Sequence, residues 1–212
     1  MLASEDIPEN DPWWFRQPIS GNAVTSILDK PTQRAAFRQI RDSYVNGLTA
    51  QDRSLAFSKI PSPLAKFLAP GKIVAGYVAK GSEVDPAAIL AQAHAMGCDL
   101  ALPHVTSKSA PMRFLRWSPD DDLVPGAFGL LQPAETAPQC KPDIVLVPML
   151  AYDDRLIRLG QGAGHYDRAL SVLDQSIAIG LAWSVQFTSA LASDIWDVPL
   201  DAVLTEKSWI TL

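Results

Sequence analysis

The spacing of apolar residues divides the chain into two parts, with the change near residue 70. Between residues 30 and 55 apolar side chains recur at helical spacing, and Phe37, Ile40 and Tyr44 form one stripe of a helix. Pro31 suits the first position of that helix. Beyond a Pro-Gly turn, short apolar runs alternate with helical segments, which predicts strands joined by helices.

The apolar runs predict strands at 73–78, 99–105, 112–117, 143–150, 177–183 and 202–205. Helices are expected over 86–96 and 165–174, and a long irregular connection over 118–142. The run at 143–150 is almost wholly apolar, which is typical of a parallel strand covered on both faces. The pattern therefore predicts an α/β fold, a three-layer α/β/α single domain with a mainly parallel sheet.

Composition supports one folded domain. The chain has 212 residues, 48% of them hydrophobic, with six Trp, and this excludes general disorder. We place the domain at 30–212 and expect residues 1–29 to form an N-terminal arm that is extended or partly ordered. Three adjacent aromatic residues, Trp13, Trp14 and Phe15, are expected to pack that arm onto the domain.

Charge and cysteine content narrow the classes of partner. The net charge of −5 argues against a broad nucleic-acid surface, so no nucleic-acid partner is expected. The two cysteines exclude a disulfide scaffold and a four-thiolate zinc site. No apolar run is long enough to span a membrane, and no secretory signal is visible. We expect a cytoplasmic protein, a monomer or weak oligomer, that acts on a small molecule.

The densest chemical signal is the segment 152–168, directly after the most apolar strand. Its alternate glycines, Gly160, Gly162 and Gly164, let backbone N–H groups approach an anion, and ligands of open α/β sheets bind beyond the strand ends. Arg158 and Arg168 flank the loop as candidate phosphate ligands, and Asp167 suits Mg²⁺. A solvated surface loop is the alternative interpretation. The spacing G-x-G-x-G does not match a dinucleotide fingerprint, and no Walker loop is present.

This loop and four further segments resemble the signature motifs of the 5-formyltetrahydrofolate cyclo-ligase family, also called 5,10-methenyltetrahydrofolate synthetases. The further segments are Arg34-Ala-Ala-Phe-Arg38, Glu83-Val-Asp85, Phe128-Gly-Leu-Leu-Gln-Pro133 and Asp197-Val-Pro-Leu-Asp-Ala-Val-Leu-Thr-Glu206. The resemblance covers most of residues 30–206 and implies an enzyme that uses ATP and Mg²⁺. The implied reaction converts 5-formyltetrahydrofolate into 5,10-methenyltetrahydrofolate, ADP and phosphate.

The resemblance also implies roles for individual residues. For ATP it implies Arg34, Arg38, Arg158, Gly160, Gln161, Gly162, Ala163, Gly164, His165, Tyr166 and Arg168. For the folate it implies Val78, Glu83, Phe128, Gln161, Gly162, Ala163, Gly164 and His165. Asp167 and Asp197 fall on metal-binding positions, and Arg158 and Tyr166 are the expected catalytic residues. Arg41 lies outside the matching motif and is expected on the solvated face of its helix.

Some positions depart from the family pattern. Arg34 replaces a usual Lys, and His165 replaces the first Tyr of a Tyr-Tyr pair, which brings a titratable group into the site. Two alternatives to the cyclo-ligase hypothesis stay open. One is a non-catalytic relative that binds nucleotide or folate, and the other is a different phosphate-handling enzyme on a similar fold.

Overall fold

The computed structural model describes residues 29–212, so the predictions for the N-terminal arm, including Trp13, Trp14 and Phe15, lie outside the described residues. The helices are α1 (Lys30–Gly47), α2 (Ala50–Leu55), α3 (Ser62–Ala65), α4 (Ala87–Ala95) and α5 (His165–Leu170). The larger strands are β1 (Ile73–Ala75), β2 (Asp99–His104), β3 (Arg113–Trp117), β7 (Ile144–Pro148), β10 (Ile177–Leu181) and β11 (Ala202–Leu204). The two-residue strands are β4 (Val124–Pro125), β5 (Leu131–Gln132), β6 (Gln139–Cys140), β8 (Ala151–Tyr152), β9 (Arg158–Leu159) and β12 (Trp209–Ile210).

One sheet organises the domain, in the order β12-β11-β10-β7-β1-β2-β3-β6. The strands from β11 to β2 in that order are parallel to one another, while β12, β3 and β6 pair antiparallel at the two edges. The predicted mainly parallel sheet is therefore confirmed. The carboxyl ends of the parallel strands share one edge, which is where such sheets bind ligands.

Both faces of the sheet are buried, as the apolar run of β7 predicts. Ile144 and Leu146 belong to one hydrophobic cluster, whereas Val145 and Val147 belong to another on the opposite face. Successive side chains of a strand point to opposite faces, so a strand with apolar residues at every position fills two layers of core.

Helix α1 begins where its sequence predicts. The Asp29 carboxylate accepts a hydrogen bond of 2.9 Å from the backbone N–H of Thr32, and Pro31 lies in the first turn. Phe37 and Val45 are buried, which fixes one face of α1 against the domain. The neighbouring face carries Arg34 and Arg38, whose hydrogen bonds to Gly160 and Gln161 place them beside the carboxyl end of the sheet.

Several element boundaries differ from the predictions. The six two-residue strands were not predicted, and β4, β5 and β6 lie within the segment 118–142 that was expected to be irregular. Such short strands are recognised only through their partners, as in the pairing of Cys140 with Phe114. Helix α5 ends at Leu170 instead of continuing to 174, because the backbone changes to the tighter i→i−3 bonding of Val172 and Leu173. Among residues 29–212, no helix combines the length and the apolar character needed to cross a membrane.

Candidate functional site at the carboxyl end of the sheet

The carboxyl ends of β1 and β7 open into a cleft of about 1410 Å³. Every residue that the family resemblance assigns to ATP, folate or metal lines this cleft, although the positions run from Arg34 to Asp197. The cleft is lined by side chains of α1, the loops after β1 and β7, the glycine loop and the segment 194–199. The fold thus brings the predicted site residues together, and their individual roles stay predictions.

The glycine loop lies directly against the arginines of α1. Gly162 has a φ of 101°, which favours glycine, and a Cβ there would lie 3.2 Å from Cζ of Arg34. Arg34 Nε donates a 3.0 Å hydrogen bond to the carbonyl of Gly160, and Arg38 Nη2 donates to Gln161 Oε1 at 2.8 Å. The two cations are therefore held beside the loop, where they provide an environment for phosphate oxygens.

Arg158 is a buried cation that also lines the cleft. Its Nη2 donates to Asp167 Oδ1 at 2.6 Å, and its Nη1 donates to the carbonyl of Val198 at 2.5 Å. Burial lowers the pKa of the Arg158 guanidinium, and the negative charges of Asp167 and Asp197 oppose that effect. Arginine pKa values lie far above neutrality, so Arg158 is a buried cation paired with a carboxylate at the edge of the cleft.

Asp167 and Asp197 are the two carboxylates that the sequence predicts as Mg²⁺ ligands, and both line the cleft. In the described part of the chain, Asp167 accepts hydrogen bonds through Oδ1, whereas Asp197 Oδ2 accepts from Lys30 Nζ at 2.6 Å and from the backbone N–H of Asp194 at 2.7 Å. One oxygen of each carboxylate remains for a cation. Within residues 29–212, no three His, Cys, Asp or Glu side chains form a cluster that holds a metal. This donor set suits Mg²⁺, which is commonly bound by one or two carboxylates together with substrate phosphates.

Glu83 and Phe128 also line the cleft, and Lys80 contacts both of them. Glu83 Oε2 accepts a 3.0 Å hydrogen bond from the backbone N–H of Lys80, and Gln161 Nε2 lies 3.5 Å from Glu83 Oε1. Phe128 is 55% exposed and has a φ of 61°, an unfavourable value for a residue with a Cβ. Its ring centroid lies 6.2 Å from that of His165. An aromatic face and a carboxylate on one wall suit a flat heterocycle with N–H donors.

Two buried polar atoms at the cleft have no hydrogen-bond partner within residues 29–212, namely Tyr166 Oη and His165 Nε2. Burial, with a smaller contribution from the Glu83 charge, raises the pKa of Tyr166 well above its usual range, so its hydroxyl keeps its proton. Arg168 Nη2 lies 3.2 Å from His165 Nδ1, and arginine only donates, so Nδ1 accepts and the proton of the neutral imidazole resides on Nε2. Burial and, to a lesser extent, the charge of Arg168 lower the pKa of His165.

Arg168 contacts the loop itself. Its Nη1 donates to the carbonyl of Ala163 at 3.0 Å and its Nη2 to the carbonyl of Lys108 at 3.1 Å. Arg168 thus stabilises the far end of the glycine loop, in addition to the phosphate contact that the sequence predicts.

The prediction that Arg41 lies on a solvated face is wrong. Arg41 is 4% exposed, and its Nε donates to Ser82 Oγ at 2.9 Å. Arg41 lies four residues after Phe37 and four before Val45, on the buried side of α1, and this spacing was the available signal. Lys30, which pairs with Asp197, was also missed, because no local pattern shows that its partner lies 167 residues away.

The sequence and the fold of this chain are similar to those of known proteins. Residues 27–206 match the model of the 5-formyltetrahydrofolate cyclo-ligase family. A 5-formyltetrahydrofolate cyclo-ligase of Escherichia coli K12 is 30% identical over 144 residues, which cover 64% of this chain and 79% of that protein. One from Haemophilus influenzae is 36% identical over 97 residues, 43% of this chain and 52% of the relative. The structure of a 5,10-methenyltetrahydrofolate synthetase from Aquifex aeolicus superimposes with a TM-score of 0.69 and 28% identity, covering 87% of this chain and 93% of that one.

Proposed function

This chain belongs to the 5-formyltetrahydrofolate cyclo-ligase family, as its motifs predict, and we propose that it is an ATP- and Mg²⁺-dependent enzyme of that activity. Its substrates are 5-formyltetrahydrofolate and ATP, and its products are 5,10-methenyltetrahydrofolate, ADP and phosphate.

The contacts of Gln161 carry this proposal. Its side chain accepts a hydrogen bond from Arg38 at 2.8 Å and lies 3.5 Å from Glu83. The glycine loop therefore adjoins both the cationic side of the cleft and the carboxylate side. A reaction between a nucleotide phosphate and a folate needs such a junction, because the two ligands must meet with their reacting atoms in contact.

On the cationic side, the loop and three arginines bind the triphosphate. Arg34 and Arg38 lie along α1, and Arg158 lies beneath the loop beside Asp167. Catalysis of phosphoryl transfer rests mainly on positioning and on neutralising charge at the phosphate oxygens, and fixed guanidinium groups serve both purposes. Asp167 and Asp197 would hold Mg²⁺, whose charge would neutralise the phosphate oxygens of ATP.

On the carboxylate side, Glu83 accepts hydrogen bonds from N–H groups of the pterin, and Phe128 packs against the aromatic part of the folate. This arrangement presents the formyl group to the triphosphate. The formyl oxygen attacks the γ-phosphorus, and the bond between that phosphorus and the ADP oxygen breaks. N10 then attacks the formyl carbon and loses its proton, and the carbon–oxygen bond breaks with release of phosphate.

Tyr166 and His165 contribute donors at this junction. Their Oη–H and Nε2–H groups are buried beside the cleft without a hydrogen-bond partner among residues 29–212, and an unsatisfied buried donor costs about 1–3 kcal/mol. An oxygen of the bound substrates would satisfy them. Tyr166 is therefore the residue of choice to hydrogen-bond the oxygen that becomes phosphorylated.

The experiment is a direct assay. Purified protein is mixed with 5-formyltetrahydrofolate and Mg²⁺, with and without ATP, and the methenyl product is followed by its absorbance. We expect product only when ATP is present, together with ADP in equal amount. If protein that unfolds cooperatively on heating, and is therefore folded, gives no ATP-dependent product, the proposal is contradicted and a binding role is favoured.

A further inference from the structure

Arg41 is a buried cation that the reaction described above does not use. Its Nε donates to Ser82 Oγ at 2.9 Å, and its Nη1 donates to the carbonyl of Met149 at 3.4 Å. The same Nη1 lies 3.9 Å from Oε1 of Glu83. Ser82 Oγ in turn donates to Asp42 Oδ1. The guanidinium thus joins α1 to the turn after β1 and to the residue that follows β7.

Burial strengthens the attraction between Arg41 and Glu83. The side chains of Arg41 and Glu83 are 5% and 13% exposed, so water screens their attraction much less than on an open surface. In the described range 29–212, the ion pairs of Glu83 involve a single cation, which is Arg41. Without it, Glu83 would keep its backbone hydrogen bond to Lys80 but lose the charge that attracts Oε1 toward the cleft wall.

We propose that Arg41 is a positioning residue, which holds the Glu83 carboxylate and the Ser82–Glu83 turn in the orientation that receives the folate. This inference rests on the proposed function, in which Glu83 accepts hydrogen bonds from the pterin. Arg41 acts through Glu83, so its loss weakens folate binding and leaves the nucleotide side, formed by Arg34 and Arg38, intact.

The planar guanidinium explains why arginine occupies this position. Its separate N–H groups reach Ser82, Met149 and Glu83 in fixed directions. A lysine ammonium keeps the charge but cannot contact all three groups at their present places. Arg41→Lys is therefore expected to bind folate more weakly than the wild type and more tightly than Arg41→Met.

A double-mutant cycle tests the inference. Dissociation constants for 5-formyltetrahydrofolate and for a non-hydrolysable ATP analogue are measured for wild type, Arg41→Met, Glu83→Gln and the double variant. Quenching of tryptophan fluorescence is a suitable signal, because Trp183 Nε1 donates to the carbonyl of Ser82 at 3.0 Å. Arg116→Met is the matched control, since Arg116 pairs with the exposed Asp99 and does not line the cleft.

We expect Arg41→Met to weaken folate binding by about tenfold or more, with ATP-analogue binding changed by less than about twofold. In the Glu83→Gln background the same substitution should have almost no further effect on folate binding. The control should bind both ligands as the wild type does. If Arg41→Met does not fold, the cycle is completed with Arg41→Lys, for which a smaller coupling of the same sign is expected.

Equal losses of folate affinity in both backgrounds would overturn the inference, because Arg41 would then act independently of Glu83. Parallel losses for both ligands would also overturn it and show a purely structural role. Unchanged folate affinity in Glu83→Gln would show that Glu83 does not bind the folate, and this would also overturn the inference about Arg41. Absence of ATP-dependent product from a wild type that shows the expected coupling would instead refute only the reaction.

Discussion

The substitution Asp167→Asn separates catalysis from folding at the proposed metal site. It removes the negative charge that faces Arg158 across a 2.6 Å ion pair and leaves a side chain of nearly the same shape. The Arg158 side chain is only 3% exposed, so the change leaves a buried cation without its closest counter-charge.

The cost in stability follows from this geometry. Removing one partner of a fully buried pair costs about 3–5 kcal/mol. The cost should be smaller here, because Asp167 is 24% exposed, Asn can still accept a hydrogen bond, and the Val198 carbonyl still accepts from Arg158. We therefore expect a loss of about 1–3 kcal/mol. A domain with at least about 5 kcal/mol of stability would then remain about 97% folded.

When about 97% of the variant is folded, unfolding cannot account for a large loss of turnover. We expect turnover in the methenyl assay to fall by about 10²–10³-fold, which is typical when a charge that stabilises the transition state is removed. Urea titrations monitored by tryptophan fluorescence measure the free energy of unfolding. Asp99→Asn is the matched control, because Asp99 pairs with Arg116 on the surface, where such pairs contribute about 0–1 kcal/mol.

Two outcomes would refute this reasoning. Wild-type turnover in Asp167→Asn would show that the carboxylate charge takes no part in the reaction. A loss of turnover that matches the fraction of unfolded protein would show that Asp167 serves only to stabilise Arg158.

Other substitutions test the loop and its buried donors. Gly162→Ala should lower the free energy of unfolding by about 1 kcal/mol in urea titrations, because its φ is 101° and the new Cβ would crowd an arginine. In Gly160→Ala the new Cβ would have no heavy atom of residues 29–212 within 4 Å, so the free energy of unfolding should stay within about 0.5 kcal/mol of wild type. Equal effects of the two substitutions would contradict the strain argument. Tyr166→Phe should preserve stability, because the hydroxyl it removes has no hydrogen-bond partner in the described part of the chain, but it should lower turnover in the methenyl assay. Unchanged turnover would mean that no ligand pairs with Oη. The pKa of His165 is lowered from 6.5 mainly by burial, so the unfolded chain binds the extra proton first on acidification. The stability that neutral His165 contributes is present above pH 6.5 and is lost as the pH falls toward the lowered pKa. The unfolding free energy of the wild type minus that of His165→Gln should therefore increase from about pH 5 to about pH 7. A constant difference would be inconsistent with this.

The local sequence pattern determined the central strand and the glycine loop. The unbroken apolar run of β7 predicted a strand buried on both faces, and the clusters around Leu146 and Val147 confirm it. The alternate glycines after that strand indicated where the backbone turns closely, because positive φ at Gly162 is a local steric property. These features depend on neighbours within a few residues, and the sequence displays them directly.

Tertiary structure decided which polar side chains are buried and which atoms they face. Arg41 and Arg38 lie three residues apart on one helix, yet Arg41 is buried and Arg38 is exposed. Arg41 continues the buried row of Phe37 and Val45, so periodicity indicates its side of the helix, but only the folded structure shows that the turn at Ser82 and the end of β7 cover it. Likewise the pairing of Lys30 with Asp197 joins residues 167 positions apart, which only the folded structure brings together. Periodicity and turn chemistry are local, whereas burial, charge pairing and the unsatisfied donors of the cleft depend on residues distant in the chain.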